Sequence, residues 1–135
     1  SNDSRHLQVW EGPRCLLPSY MKRLKDAKGI PKTLKAGYRH YDISCIDTDH
    51  ELETKYSGAC AHRKRKIDLD GGQSSGEGSA TLLHEIVHVA YAQGSLDEII
   101  ERHNEEKIVD ILSNQLATMM HDNPDLFRWI IKNVG

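Results

Sequence analysis

Residues 81–92 read TLLHEIVHVAYA and contain the pattern HExxH, formed by His84, Glu85 and His88. Apolar residues surround these three, which predicts a helix that is buried on most sides. Residues four apart lie on one face of a helix, so His84 and His88 can bind a single metal ion. Ionisable groups in an apolar helix are costly unless something binds them, and a divalent cation is the simplest partner. The stretch therefore predicts a helix at the centre of the fold that carries one Zn²⁺.

Glu85 is the candidate general base at this site. It follows His84 directly, so its carboxylate points too far around the helix to join the same coordination sphere easily. It can still reach a water on the metal and accept its proton. The competing interpretation is that both histidines are hydrogen-bonded core residues and bind no metal, but the apolar surroundings favour the metal.

Length and charge limit the class of protein. The chain has 135 residues, a formal net charge of -2 and a sequence pI of about 6.4. The length predicts one domain over residues 1–135. The charge gives no reason to expect nucleic acid as a partner, and no apolar run has the length of a membrane span. An odd number of cysteines without zinc-finger spacing favours reduced thiols and a cytoplasmic protein (Cys15, Cys45, Cys60).

Strand patterns precede the HExxH segment. Residues 6–10 could form a short strand, and residues 38–47 alternate apolar and polar side chains with the period of a half-buried strand. Residues 55–61 and 65–70 predict a hairpin whose second strand turns two side chains inward (Ile67, Leu69) and two outward (Asp68, Asp70). We expect the strand before the helix to have a free edge, to which an extended substrate could add.

Helical segments account for most of the remaining chain. Residues 18–28 predict an amphipathic helix, and the Gly/Ser-rich residues 70–79 predict a mobile loop in which Ser79 or a neighbouring Ser caps the metal helix. Gly94 ends that helix, and Ser95 with Glu98 forms a capping-box pattern.

The helix that starts there should continue to about Met120. One face of it would carry Glu106, Val109, Asp110 and Ser113, and a second group would pack on the core (Ile108, Leu112, Leu116, Met119). Asn123 and Pro124 then begin a short terminal helix with an apolar stripe (Leu126, Phe127, Ile130, Ile131). The predicted fold class is α+β, with a small, mostly antiparallel sheet packed on the HExxH helix.

A catalytic zinc usually has three protein ligands, so a third must come from outside the HExxH segment. Glu106 is the first choice, eighteen residues after His88. His103, fifteen residues after His88, is the alternative third ligand, and Glu105 is the fallback next to Glu106. Asp110, one turn after Glu106, could accept the remaining ring N–H of a ligand histidine.

The glutamate that precedes Asp110 by four positions resembles the pattern of the gluzincins, a group of zinc metallopeptidases. Together with the hairpin, the TLLHEIVH helix, the EEKIVDILSNQL helix and the closing DNPDLFRWI, the chain resembles small phage or prophage zincins of the ImmA/IrrE group. That resemblance implies a minimal zincin-like domain, a cytoplasmic location and a protein or peptide substrate, with a repressor-like regulator as one candidate. Use of His103 would instead resemble the SprT-like proteases, although Asn104 stands where those proteins usually have Gly.

The expected chemistry is hydrolysis of an amide, with Glu85 as general base and Tyr91 or His103 as candidate stabilisers of the transition state. Two other functions fit the same residues. One is a zinc-binding regulatory or interaction module with weak or no catalysis, and the other is a metal-dependent hydrolase of a substrate that is not a peptide. Glu85 favours hydrolysis, because a purely structural zinc site has no need of a base.

Overall fold

A five-stranded sheet and three helices form the part of the chain that the computed structural model describes. That part covers residues 7–10, of which only the backbone is described, and residues 23–26, 29–46 and 57–135. The strands are β1 (Leu7–Trp10), β2 (Thr33–Ala36), β3 (Arg39–Ile46), β4 (Gly58–Ala61) and β5 (Lys66–Asp70). The helices are α1 (Ser75–Gln93), α2 (Glu105–Asp122) and α3 (Pro124–Asn133). The fold class is therefore α+β, as the sequence predicts.

The strand order in the sheet is β1-β4-β5-β3-β2. The β3–β5 pair is parallel and the other neighbours are antiparallel, so the sheet is mostly antiparallel, as predicted. The strands predicted over residues 6–10 and 38–47 and the predicted hairpin are present. β2 was missed, because its sequence TLKA carries a lysine and has no clear alternation of polar and apolar residues.

The prediction that the strand before α1 has a free edge is wrong. That strand is β5, which pairs with β4 on one side and β3 on the other. Within the described residues, the edges of the sheet are β1 and β2. Periodicity along one strand reports which face is buried and says nothing about which strands lie beside it, so only the fold could decide this point.

Helix α1 packs on one face of the sheet and begins earlier than the sequence predicts. Ser74 is its N-cap, and the Ser74 hydroxyl accepts a hydrogen bond from the Glu77 N–H at 3.1 Å. The prediction of a loop through residue 79 is therefore wrong, although the prediction that a neighbouring Ser caps the helix is confirmed. The helix continues through Gly76 and Gly78. Gly78 packs closely against Leu24, because a Cβ at this position would lie 2.6 Å from the Leu24 side chain. Gly94 ends α1 as predicted.

The core lies between the sheet and α1. Ile67 and Leu69 of β5 point inward as predicted and are fully buried beside Val89 of α1. Asp70 was predicted to point outward and is instead buried, since its carboxylate accepts a hydrogen bond from the Gly72 N–H at the turn into α1. Of the cysteines, Cys45 and Cys60 are free thiols, and Cys15 lies outside the described residues.

The chain between α1 and α2 differs from its prediction. Ser95 has a left-handed backbone (φ 57°) and makes no capping hydrogen bond with its side chain, so the predicted capping box is wrong. Two short 3₁₀ turns follow, Leu96–Glu98 and Arg102–Asn104, and the α-helix begins only at Glu105. Because of this late start, Glu105 and Glu106 form the first turn of α2.

Helices α2 and α3 leave much of their apolar surface exposed. Leu112 and Met119 were predicted to pack on the core and are 48% and 46% exposed, because only the Glu106–Ser113 face of α2 meets α1. The terminal helix begins at Pro124 as predicted. The amphipathic helix predicted over residues 18–28 lies largely outside the described residues, and its described part, Leu24–Asp26, is a 3₁₀ turn. No described helix combines the length and the apolarity that crossing a membrane requires.

Candidate metal centre

Helices α1 and α2 run antiparallel and bring their polar side chains together. His88, near the end of α1, meets the first turn of α2, and His84, one turn earlier, meets Ser113 two turns further along α2. His84, His88 and Glu85 are 0% exposed, so the HExxH residues lie in the interior as the apolar pattern predicts. The side chain of Glu106 is 42% exposed, which makes it the point where the cluster reaches solvent.

Three side chains point toward a common centre. His84 Nε2 lies 2.8 Å from Glu106 Oε1, His88 Nε2 lies 2.9 Å from Glu106 Oε2, and the two Nε2 atoms are 3.2 Å apart. Ligands at about 2.0 to 2.1 Å around a tetrahedral ion are about 3.3 to 3.4 Å apart. The three groups need to separate by only a few tenths of an ångström to hold a metal ion. His84, His88 and Glu106 could therefore bind one, and they are the group in the described residues that meets this geometry.

The outer ring nitrogens face hydrogen-bond acceptors. His88 Nδ1 lies 2.9 Å from the Glu105 carboxylate, and His84 Nδ1 lies 3.4 Å from the Ser113 hydroxyl. The Ser113 hydroxyl donates to the Asp110 carbonyl at 3.2 Å, which leaves its lone pair for the His84 N–H. When a metal ion replaces the protons on the two Nε2 atoms, these acceptors would hold each ring as its Nδ1–H tautomer with the Nε2 lone pair directed at the ion.

The position of Asp110 differs from the prediction. Its carboxylate is 3.8 Å from His84 Nδ1, which is too long for a hydrogen bond, and it accepts one from Asn114 at 3.4 Å instead. Glu105 and Ser113 make the contacts with the outer ring nitrogens that the sequence assigned to Asp110. Ser113 was placed on the correct face without a role and Glu105 was taken only as a fallback ligand, since the helix start that fixes their orientation was misplaced.

The carboxylate of Glu85 is buried without a partner. Neither of its oxygens has a hydrogen bond. Among the described residues, the Tyr91 hydroxyl is the other buried side-chain oxygen without a hydrogen bond. A buried polar group without a partner costs about 1 to 3 kcal/mol, and more when charged, so a fold rarely tolerates one for packing alone. The unpaired carboxylate is what a site built to hold a water or a cation would contain.

Burial and mutual charge shift the pKa values of the cluster. Burial opposes the charged form of His88, but hydrogen bonds to Glu105 and Glu106 outweigh it and raise the pKa of His88 to about 9. Burial would raise the pKa of Glu106, but hydrogen bonds from the two histidines lower it to about 2. Burial raises the pKa of Glu85 to about 8 despite the positive charge of His88, and the charge of Glu106 adds to the rise.

His103 does not join the cluster. Its side chain is 74% exposed and lies 3.4 Å from Glu101. Tyr91 is 2% exposed, and burial together with the charges of Glu105 and Asp97 raises its pKa. Tyr91 thus lies near Glu105. Of the candidate third ligands, Glu106 is the one that contacts both histidines.

Gly58 of β4 allows Glu85 and Thr81 to pack against the sheet. A Cβ at Gly58 would lie 2.5 Å from Thr81 Cγ2 and 3.5 Å from Glu85 Oε1. Thr81 is held in turn by Gln73, whose side chain accepts from the Thr81 hydroxyl and donates to the Ser57 carbonyl, both at 3.0 Å. This network joins the start of β4 to α1 at the level of Glu85.

We expect Gly58→Ala to lower the free energy of unfolding by about 1 to 3 kcal/mol, because the added methyl group overpacks this contact. The matched control is Gly76→Ala, at an exposed position of α1 whose added Cβ would meet nothing closer than 4.0 Å. That control should stabilise the helix by about 0.5 to 1 kcal/mol. Chemical denaturation of both variants provides the measurement, and equal stabilisation would show that β4 does not pack closely on Glu85.

A second prediction concerns Glu105. We expect Glu105→Gln to weaken metal binding about 10- to 100-fold, because the residue orients His88 and raises its basicity without holding the ion. Asp110→Asn should have a smaller effect, since its carboxylate lies beyond hydrogen-bond distance of His84. Competition titration with a chromophoric chelator measures both affinities. A larger loss in the Asp110 variant would contradict the roles that the geometry assigns.

The pKa shifts predict how pH affects the metal-free protein. The raised pKa of His88 contributes stability that is fully present below its unfolded value of 6.5 and is lost as pH rises through about 9. Glu85 acts in the same direction. Its raised pKa contributes stability to the fold that is present below the unfolded pKa of 4.5 and is lost as pH rises through about 8. Calorimetry should therefore show that the metal-free protein loses stability as pH rises from 6.5 to about 8.5.

A metal must displace the proton of His88, so stabilisation by added Zn²⁺ should grow over the same interval. A metal-free protein whose stability is constant or rises across that interval would contradict the arrangement.

Compared with protein-family models, with curated proteins and with solved structures, the chain matches none.

Proposed function

We propose that the protein is a zinc-dependent peptidase of the gluzincin type, related to the small ImmA/IrrE-like zincins of phages and prophages. The observation that carries the proposal is the convergence of His84, His88 and Glu106 beside the unpaired carboxylate of Glu85. Three protein ligands leave the fourth position of a tetrahedral zinc open, which is the arrangement of catalytic sites. A structural site closes that position with a fourth protein ligand and needs no neighbouring base.

Zinc is the ion that this ligand set favours. Two imidazole nitrogens and one carboxylate match the His₂Glu set of zinc peptidases, whereas Ca²⁺ and Mg²⁺ prefer oxygen ligands alone. His84 and His88 would bind through Nε2, with Glu105 and Ser113 fixing the rings from behind. Once bound, zinc would lower the pKa of a water toward about 7 and polarise the substrate carbonyl.

Glu85 is the residue that moves protons in this proposal. It accepts the proton of the attacking water and passes it to the amide nitrogen that leaves. A base must be ionised, and burial holds the pKa of Glu85 at about 8 in the metal-free protein. A divalent charge nearby favours the carboxylate form, so metal binding would prepare the base. Tyr91 remains a candidate stabiliser of the transition state, since its buried hydroxyl has no partner.

The substrate would be a protein or peptide segment that adds to the outer edge of β1. This strand pairs with β4 on its other side and ends with Trp10 opposite Gly58, at the level of Glu85. Extended segments bind such edges by backbone hydrogen bonds, which suits an amide substrate. A repressor-like regulator in the cytoplasm is the kind of substrate that the family resemblance implies.

A zinc-binding regulatory module is the second candidate function. The observation that favours it is the complete burial of Glu85, which has to become accessible before a water and an amide can reach it. In such a module the zinc would hold α1 and α2 together, and the surface of the protein would bind a partner without cleaving it.

Peptide hydrolysis tests the choice between these functions. The metal-free protein is titrated with Zn²⁺, and a mixture of unstructured peptides is incubated with each form and examined by mass spectrometry. We expect binding of about one Zn²⁺ per chain and cleavage that requires it. Tight binding of Zn²⁺ without any cleavage, in wild type and Glu85→Gln alike, would favour the regulatory module.

A further inference from the structure

A basic patch lies at the end of the sheet where β4 turns into β5. Residues 62–65 form this turn, and four consecutive cationic side chains are exposed there (Arg63, Lys64, Arg65, Lys66). Arg65 has a left-handed backbone with φ of 54°, a conformation that is uncommon for a residue with a side chain. Arg39 of β3 is the fifth member of the patch, and Asp42 opposite Lys66 is its acidic neighbour in the sheet register.

Arg39 and the turn form one surface around Tyr41. The Tyr41 hydroxyl lies 3.1 Å from His62 Nδ1 at the start of the turn. Burial and Cys60 raise the pKa of Tyr41, and the positive charges of both Arg39 and Arg65 lower it, so both guanidinium groups lie within electrostatic reach of the same hydroxyl. Five cationic side chains thus lie close together here, although the chain as a whole has a net charge of -2.

Strands β4 and β1 connect this patch to the metal centre. β4 begins at Gly58, beside Glu85, and ends at Ala61, one residue before the turn. β1 runs alongside, with Trp10 opposite Gly58 and Leu7 opposite Ala61. Three residues of strand span about 10 Å. An extended chain on the outer edge of β1 would therefore pass from the level of Glu85 to the patch within about four to six residues.

We propose that the basic patch selects protein segments that carry acidic side chains about four to six residues from the bond to be cleaved. The inference rests on the proposed peptidase function and names the class of substrate. Three carboxyl groups lie at the metal centre itself (Glu85, Glu105, Glu106), so an acidic side chain of the substrate is better placed at the patch than beside the bond to be cleaved.

A protein segment fits this surface better than a nucleic acid does. The cations of the patch lie on one turn and the strand beside it. A protein surface that binds nucleic acid usually has a longer basic stripe and belongs to a basic domain. Within the described residues, the outer edge of β1 has no strand beside it, so its backbone groups have the spacing that an extended polypeptide can match.

Binding is tested separately from cleavage with the zinc-loaded Glu85→Gln protein. Fluorescent peptides of one sequence carry either four Glu or four Gln at the stated distance, on one side or the other of a central apolar segment. By anisotropy we expect one of the Glu peptides to bind about tenfold more tightly than its Gln counterpart at low salt, and this advantage to shrink in 0.5 M salt. The double change Lys64→Glu with Lys66→Glu should remove the advantage.

Lys132→Glu is the matched control, because Lys132 is an exposed cation of α3, outside the patch. It should leave the preference for Glu unchanged. Equal binding of the Glu and Gln peptides overturns the inference, as does an equal loss in the Lys132 variant. An oligonucleotide of the same charge that binds as tightly as the Glu peptide also overturns it, since the patch would then accept any polyanion.

The two proposals can fail independently. Wild-type protein that binds the Glu peptide but never cleaves any peptide supports the patch and contradicts the peptidase. Cleavage of Glu and Gln peptides at the same rate supports the peptidase and contradicts the patch.

Discussion

Replacing a member of the His84, His88 and Glu106 cluster is expected to remove high-affinity zinc binding. His84→Ala and His88→Ala each delete an imidazole that the fold places within 3.2 Å of the other, and Glu106→Gln deletes the carboxylate that contacts both. Each change should weaken binding by more than about 100-fold, which exceeds the effect of residues that only orient ligands. The affinity is measured by chelator competition, with circular dichroism as a check on the fold.

His103→Ala and Glu101→Gln are the matched controls for this prediction. Both side chains are more than 70% exposed and lie next to each other outside the cluster. Neither change should alter zinc affinity. Glu106→Gln is the most informative of the variants, because Glu106 is partly exposed and its replacement by an amide of the same shape does not open a cavity. If His103→Ala releases the metal while Glu106→Gln retains it, the assignment of α2 as the glutamate helix is wrong.

Glu85→Gln should retain zinc and lose peptide hydrolysis. General acid–base catalysis contributes about 10²- to 10⁴-fold, and an amide cannot accept the proton of the attacking water. Because Glu85 makes no hydrogen bond to the rest of the described protein, its replacement by the isosteric amide disturbs no contact that holds the metal ligands. We therefore expect a loss of at least about 100-fold in kcat/KM with unchanged zinc stoichiometry.

The control for Glu85→Gln is Glu98→Gln, which makes the same change of charge at an exposed position. It should leave both zinc binding and hydrolysis unchanged. Turnover by the Glu85 variant at the wild-type rate would exclude Glu85 as the base, whatever the identity of the substrate. A parallel loss of zinc would instead mean that Glu85 holds the site together, which its missing hydrogen bonds do not suggest.

Local sequence determined the centre of this protein. The four-residue spacing of His84 and His88 fixes both on one face of a helix, and their apolar neighbours require that face to be buried. The alternation in β3 and in residues 66–69 of β5 fixed which side chains enter the core, and Gly94 and Pro124 fixed two helix boundaries. All of these are properties of a few consecutive residues, so no knowledge of the rest of the chain was needed.

Only the tertiary structure distinguished the third metal-binding group from its neighbours in sequence. Glu105, Glu106 and His103 are close in sequence, and their directions differ by about 100° per residue around a helix whose start the capping-box pattern misplaced. Packing against α1 turned Glu106 toward both histidines, placed Glu105 behind His88 and left His103 in solvent. The choice depends on the relative rotation of two helices, and that rotation is set by contacts between residues far apart in sequence.

The tertiary structure also decided what surrounds the base and where the sheet ends. Gly58 is adjacent to Glu85 only because β4 lies against α1, and β5 is internal only because β3 and β4 pair on either side of it. Periodicity along a chain reports the burial of each face of a strand or helix, since that depends on side chains two or four residues apart. Pairing of strands and rotation of helices depend on partners that the chain meets only when it folds, and here those partners set the geometry of the metal centre.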